Sequence, residues 1–483
     1  MFSRAFPLIL SAGVAHASLR ARNVSDVCSQ IANQISGASG VFYPSSAHYE
    51  QDIGHWLTSS LQQSTCSVEP GTAEDVSTIL QVLASTRTPF GVKGGGHSTN
   101  IGFSSTLGVQ ISMNRFNEIT LSGDKTTVDV GAGLIWDDIY AVLNGSGVNV
   151  VGGRIPGVGV AGFTLGGVGY TWKTSQYGLT LDNVAAYKLV LPNGTITTVT
   201  AADEDLWFGL RVRSLIFGIV TTFTLVTHPQ TDVWGGPVTV SPDQFDALNA
   251  AIANFSANNT DTKAAILPTY SYSGAQPGLS VTLFYDAPTP PNGLFDDLLA
   301  VPAVASHVAT RSFADLVTSG GFTLPTTRGA LNSVSVLHYT PLIIQLITNL
   351  TAEWGQRLGE LDDLSFVSVS IEPFNSALFS HGAPSAYPPD RSRGIFPTNV
   401  FFSWQNATSD DVFVSAMKNL TGHVRRTAVA EGQDVEHAAV YDNYALGDTP
   451  LEDIYGHNVA RLHWIRTAID PDDVMGLAGG FKF

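Results

Sequence analysis

Eight of the eighteen residues from Gly152 to Gly169 are glycine, and a run this dense carries an entropy cost that no ordinary core accepts without return. A second, shorter cluster lies upstream in Pro89-Phe-Gly-Val-Lys-Gly-Gly-Gly-His97-Ser98. Glycine admits positive φ and lets the backbone come close to a large ligand, so the amides of Gly94, Gly95 and Gly96 can align on phosphate oxygens. His97 then places a nucleophilic imidazole beside whatever is held. The competing reading of the shorter cluster alone is a glycine-rich hairpin with an incidental histidine.

A chain of 483 residues, 44% hydrophobic and 13% charged, can bury a large core in two or more domains. Its net charge of −17 argues against nucleic acid as a partner, since phosphate backbones need clustered Lys and Arg. The first residues place Arg4 before an apolar run that ends in Ala15-His16-Ala17, so residues 1–17 are expected to be a secretory signal peptide. The run is too short for the ~20 residues of a membrane span, and none is expected later. Cys28 and Cys66 are the only cysteines; in an oxidising compartment they read as one disulfide, with two separate buried thiols as the alternative. Sequons at Asn23, Asn144, Asn193, Asn254, Asn258, Asn349, Asn406 and Asn419 fit a glycoprotein of the secretory pathway.

Thr72, followed by Glu74 and Asp75, caps an expected helix. Leu107 to Ile111, Thr126 to Val130, Lys188 to Leu191 and Phe217 to Val226 read as strands, and Trp136 to Leu143 as a helix. Thr227-His228-Pro229 marks a boundary. Beyond it, strands at Leu279 to Phe284 and Phe366 to Ile371 and helices at Asp243 to Phe255 and Pro341 to Leu358 are expected. Short strands and helices alternate, so the class is α+β. Neither an internal repeat nor a metal-ligand spacing among His48, His55, His437, His457 and His463 is found, and no metal is expected.

Three segments, Lys93 to Ser98, Gly152 to Gly169 and Tyr177 to Asn183, together resemble the flavin domain of the vanillyl-alcohol oxidase superfamily, nearest to its berberine-bridge-enzyme-like oxidoreductases. Tyr441-Asp-Asn-Tyr444, Tyr455-Gly-His-Asn458, Ala460-Arg461-Leu462 and Ile469-Asp-Pro471 are similar to that subgroup's closing segment. The resemblance implies a two-part PCMH-type FAD-binding domain over 18–229. A substrate domain over 230–430 would follow, with an antiparallel sheet over the flavin, and a segment over 431–483 would return to the first domain. It also implies a secreted FAD-dependent oxidoreductase, an oxidase passing hydride from a hydroxyl-bearing small molecule of natural-product biosynthesis to flavin and then to dioxygen, giving hydrogen peroxide. The alternatives are a carbohydrate oxidase and a noncatalytic flavin-binding glycoprotein, since fold analogy does not choose a substrate.

By the same resemblance, His97 is the residue that bonds covalently to FAD; a hydrogen bond to noncovalent flavin is the alternative. Many relatives add a link from a cysteine where this chain has Ile155, so one bond is expected. Cofactor contacts are assigned to Lys93, Gly94, Gly95, Gly96, His97, Ser98, Gly157, Val158, Gly159, Gly162, Gly166, Gly167, Gly218, Ile219 and Val220. Asn443 and Asn458 either meet the flavin's polar edge or cap turns. Tyr441 and Tyr444 are the candidate bases, acting once nearby positive charge lowers a tyrosine pKa from ~10. On an extended strand they would point to opposite faces, with Tyr441 preferred; two tyrosines packing a seam are the alternative. Glu372 and Asp390 lie in the segment expected to roof the pocket, although exposed loop carboxylates are the commoner case. Val212 to Ile216 replaces the family's glycine-rich run between Leu210-Arg211 and Phe217-Gly218-Ile219-Val220. That leaves an adjusted loop, a damaged flavin site or an error in the deduced sequence.

Overall fold

Thr72 Oγ1 accepts the amide of Asp75 at 3.1 Å and starts the helix Ala73–Thr86, whose Val76, Ile79, Leu80 and Leu83 face the core. This helix joins two strands of a four-stranded sheet, in the order Gly40–Phe42, Cys66–Glu69, Val109–Ser112, Phe90–Lys93. The last three strands are parallel and buried along their whole length apart from Val92, as expected for strands covered on both faces. The computed structural model describes residues 24–166, 169–211, 215–319 and 327–483. Residues 1–17, Asn23, Gly167 and Val212 to Ser214 of the altered loop lie outside these.

A second sheet is antiparallel, in the order Ile119–Leu121, Thr127–Gly131, Ile219–Val226, Val184–Val190, Ile196–Val199. The third sheet has eight antiparallel strands. Seven form the path Ala303–Ser306, Val233–Val240, Gln276–Tyr285, Ala264–Ser273, Leu364–Ile371, Phe396–Trp404, Arg328–Val336, and Ala309–Arg311 pairs with Val233–Val240. Helices Pro341–Gly359 and Asp410–Ala430 pack on it. Period-two alternation separates its faces: Val367, Val369 and Ile371 are buried on one, while Ser368 and Ser370 look the other way. Register places Ser370 beside Asn399, and Ser368 and Leu331 beside Phe401, so these side chains share a face. The helix expected from Asp243 instead begins at Phe245, because Pro242 first closes a 3-10 turn over Pro242–Gln244.

Two features tie the layers together. Asp182, buried, receives Arg211 Nη2 at 2.8 Å on one oxygen and Arg391 Nη2 at 2.7 Å on the other, and Arg211 also donates to the carbonyls of Ala383 and Pro384. The loop over 381–391 is thereby held down by two guanidinium groups on one carboxylate. Cys28, on a helix over 24–34, is disulfide-bonded to Cys66 on the central strand of the first sheet. Among the described residues no helix is long and apolar enough to cross a membrane.

The Cys28–Cys66 bond closes a loop with a sequence separation of 38. Replacing both cysteines by serine is expected to cost about 2–4 kcal/mol, read as a lowered urea midpoint at unchanged slope. An unchanged midpoint would show that the packed helix alone holds this end of the chain.

Candidate functional site

Strand Phe90–Lys93 runs into the turn Gly94–Ser98, which presses against the loop at Gly157–Gly159. A Cβ on Gly95 would stand 2.6 Å from both the nitrogen and the Cα of Gly159, and one on Gly159 would stand 2.4 Å from the nitrogen of Gly95. Both obstructing groups are backbone, so neither can swing aside. Gly96 has φ +72°, in the left-handed region that side chains avoid. No described residue accepts a hydrogen bond from the amides of Gly94, Gly95 or Gly96, which leaves a row of donors at the rim of a cavity.

That cavity measures about 320 Å³. Gly94 to Ser98, Val158, Gly159, Gly162, Gly166, Ile219, Val220 and Leu215 line it from the first two sheets. Leu267, Leu331, Ser368, Ser370, Asn399 and Phe401 line it from the third, and Tyr441, Asn443 and Tyr444 from the chain's last segment. Four residues assigned to the cofactor from sequence do not reach it. Lys93 is buried behind the turn and donates to the carbonyl of Gln51 at 3.3 Å. The Gly157 amide meets Asp137 at 2.8 Å, and Asn458 donates to Ala386 at 3.0 Å. Gly218 sits tight on strand Val184–Val190, where a Cβ would come 2.1 Å from the carbonyl oxygen of Val190.

His97 stands on the cavity wall with its ring stacked on Trp56, centroids 4.1 Å apart and planes 13° from parallel. Burial lowers its pKa to about 4, so the imidazole is neutral and nucleophilic at ordinary pH. Ile155 also lines the cavity. The only two cysteines are bonded to each other, so a cysteine link to anything in this cavity is ruled out.

Elsewhere in the lining, the structure corrects three sequence expectations. Tyr441 to Tyr444 is a turn, closed by the Tyr444 amide on the Tyr441 carbonyl at 3.0 Å. The two rings therefore pack edge to face at 4.6 Å and line the same cavity, not opposite faces. Glu372 is not an exposed loop carboxylate but 1% exposed, one residue past the strand Leu364–Ile371. It accepts the Tyr444 hydroxyl at 3.0 Å on one oxygen and Arg154 Nη2 at 2.6 Å on the other. Nor is either tyrosine pKa lowered: burial raises both, and at Tyr444 the Glu372 carboxylate adds to the rise while Arg154 opposes it. Burial likewise raises the pKa of Glu372 against the pull of Arg154. Asn443 donates to the Tyr441 hydroxyl at 2.9 Å. Asp390 is exposed, as expected. Arg154 and Trp56 were not identified from sequence, although Arg154 lies inside the second glycine cluster.

Residues 64–200 match the FAD binding domain family. An uncharacterized FAD-linked oxidoreductase of Arthroderma benhamiae is 36% identical over 282 residues, 57% of this chain and about half (56%) of that protein. The FAD-dependent monooxygenase drtC of Aspergillus calidoustus is 28% identical over 95% of this chain and 90% of its own. Among solved structures, the carbohydrate oxidase of Microdochium nivale superposes with a TM-score of 0.76 at 20% identity, covering 94% of this chain and 98% of that one. The glucooligosaccharide oxidase of Acremonium strictum, described with a 6-S-cysteinyl, 8α-N1-histidyl FAD, gives 0.75 at 17% identity over 94% and 97%. The glycine cradle with its unpaired amides, and the neutral His97 beside it, fit FAD.

Gly95→Ala is expected to wedge the two loops apart and abolish flavin retention, measured as visible absorbance per protein. Gly123→Ala, at an exposed position where a Cβ meets nothing within 4 Å, serves as the control and is expected to stay yellow. A yellow Gly95→Ala protein would separate the loop contact from cofactor binding.

Proposed function

We propose that the chain is an FAD-dependent oxidoreductase of the vanillyl-alcohol oxidase superfamily, a reading supported by its FAD binding domain, its relatives and its fold, and that it oxidises a hydroxyl-bearing small molecule at the expense of dioxygen, with FAD held through a single bond to His97. The observation that carries this reading is that one cavity is lined by His97 and the glycine cradle and also by Tyr444, Glu372 and Arg154, which are linked to one another by hydrogen bonds. FAD, when bound, supplies the hydride acceptor.

The chain's own residues handle the proton. The Tyr444 hydroxyl gives its proton to Glu372, so its oxygen is free to accept the proton of a substrate hydroxyl as its own moves to the carboxylate. The raised pKa of Glu372 makes it a better proton acceptor, and Arg154 keeps it ionised for the task. Tyr441 has no carboxylate partner and takes a hydrogen bond from Asn443, so the preference given to it from sequence passes to Tyr444. Leu267, Leu331 and Phe401 share the third-sheet wall with Ser368, Ser370 and Asn399, a mixed surface suited to a hydroxyl-bearing body with apolar faces; the single flavin link is what ranks a natural product ahead of a sugar. Secretion is part of the proposal: the leader pattern, the Cys28–Cys66 disulfide and the exposure of all seven described sequon asparagines, Asn144 to Asn419, support it.

Tyr444→Phe and Glu372→Gln are each expected to lower kcat by about 10²- to 10⁴-fold with flavin content unchanged, and Tyr441→Phe to lower it far less. The reverse order would return the base to Tyr441. In the assay, one hydrogen peroxide is expected per product, with no oxygen-18 entering product from labelled dioxygen. Label in the product would instead make the protein a monooxygenase, as its relative from Aspergillus calidoustus is named.

The His97 pKa of about 4 sets a pH dependence. Because its folded value lies below the ordinary 6.5, the ring stays unprotonated down to about pH 5. Covalent uptake of FAD by flavin-free protein is therefore expected to be flat from about pH 8 to about pH 5 and to fall as pH approaches 4. A fall centred on 6.5 would show that the ring is not buried before FAD arrives.

A further inference from the structure

Trp56 belongs to none of the glycine clusters, yet it sits at the point where all the parts of the site meet. Its indole lies face to face with His97 at 4.1 Å and 13°, and its other neighbour is Phe401 of the third sheet at 5.1 Å and 26°. Its amide donates to the carbonyl of Gly96 at 3.0 Å, fixing it to the residue before His97. All three rings line the cavity. No other described residue offers the His97 ring nitrogens a hydrogen bond, only the histidine's own backbone.

An imidazole turns about a broad, roughly two-fold torsion, so a histidine ring that meets only its own backbone holds its edge weakly. The nitrogen lone pair lies in the plane of the ring. A partner stacked on the ring face therefore restrains that plane while leaving the nucleophilic edge open. We propose that Trp56 is a positioning residue for covalent attachment of FAD, its indole holding the His97 ring so that a nitrogen edge stays aimed at the flavin methyl carbon. Phe401 backs the indole, so the aim of His97 depends on the third sheet being docked. This rests on the proposed attachment through His97.

The attachment balances as follows. A carbon–nitrogen bond forms between His97 and the flavin's 8-methyl carbon, one methyl C–H bond and the imidazole N–H bond are lost, and two electrons pass to the isoalloxazine ring. Dioxygen then takes up the two electrons and two protons as hydrogen peroxide, and the oxidised flavin remains bonded. The indole takes no part in these bonds; misaiming an attacking atom by about 1 Å can cost on the order of 100-fold in rate.

The test is the rate of covalent incorporation when flavin-free full-length protein is mixed with FAD, followed as flavin retained in the acid pellet. Trp56→Leu keeps apolar bulk without a stacking face, and Trp56→Phe keeps the face. Trp56→Leu is expected to bind FAD reversibly but attach it at least about tenfold more slowly, and Trp56→Phe to attach it at near the wild-type rate. Equal rates in Trp56→Leu and wild type would overturn the proposal. So would a Trp56→Leu protein that is folded by circular dichroism but binds no FAD, since the indole would then serve binding and not attachment. If wild-type flavin all leaves in the acid supernatant, the attachment reading itself fails, and the pellet of the wild-type control shows this before any variant is compared.

Discussion

The contact between Gly95 and Gly159 is the constraint on which the rest of the site depends. Two loops from different parts of the sequence approach until backbone touches backbone, and only the absence of side chains permits it. The approach turns the unpaired amides of the first loop and the imidazole of His97 toward the same space. The clamp of Arg211 and Arg391 on Asp182 holds the loop that carries Tyr387, which packs near Tyr441 at 6.2 Å.

The electrostatics of the far wall follow from burial more than from charge count. Arg154 and Glu372 are both nearly inaccessible, at 6% and 1% side-chain exposure, and each is tolerable there only because of the other. The guanidinium also lies over the rings of Trp172 and Phe374, at 5.7 and 5.6 Å, which compensates further for lost water. At Tyr444 the lowering pull of Arg154, whose Nη2 lies 3.5 Å from the hydroxyl, is outweighed by burial and by the Glu372 carboxylate. The proposed role of the tyrosine is accordingly that of a conduit to that carboxylate.

What was legible in the sequence was what local chemistry dictates. The glycine turn, the Thr72 cap, the helix Pro341–Gly359 and the strands Val109–Ser112, Thr127–Gly131, Val184–Val190 and Ile219–Val226 announce themselves within a few residues, whereas Gly40–Phe42, Cys66–Glu69, Phe90–Lys93, Ile119–Leu121 and Ile196–Val199 did not. Glu372 did not, because its burial comes from sheet register and from Arg154, 218 positions away in sequence. Trp56 was invisible for the same reason, its meaning lying in rings contributed by His97 and Phe401. The segment at Tyr441 was expected to be extended; the hydrogen bonds that make it a turn, from Tyr444 and Ala445 back to Tyr441 and Asp442, leave no mark on hydrophobic pattern. Leu215 shows that the altered loop contributes a bulky side chain to the cavity wall.

The Cys28–Cys66 disulfide has a further consequence for a protein proposed to generate peroxide. It consumes both thiols of the chain, and Met113, Met417 and Met475 are all buried in the core. Sulfur is the element that peroxide attacks first in proteins, and it does so where thiolate or thioether is accessible. Of these three thioethers only Met113 borders the cavity, so it is the sulfur that peroxide formed there would reach first.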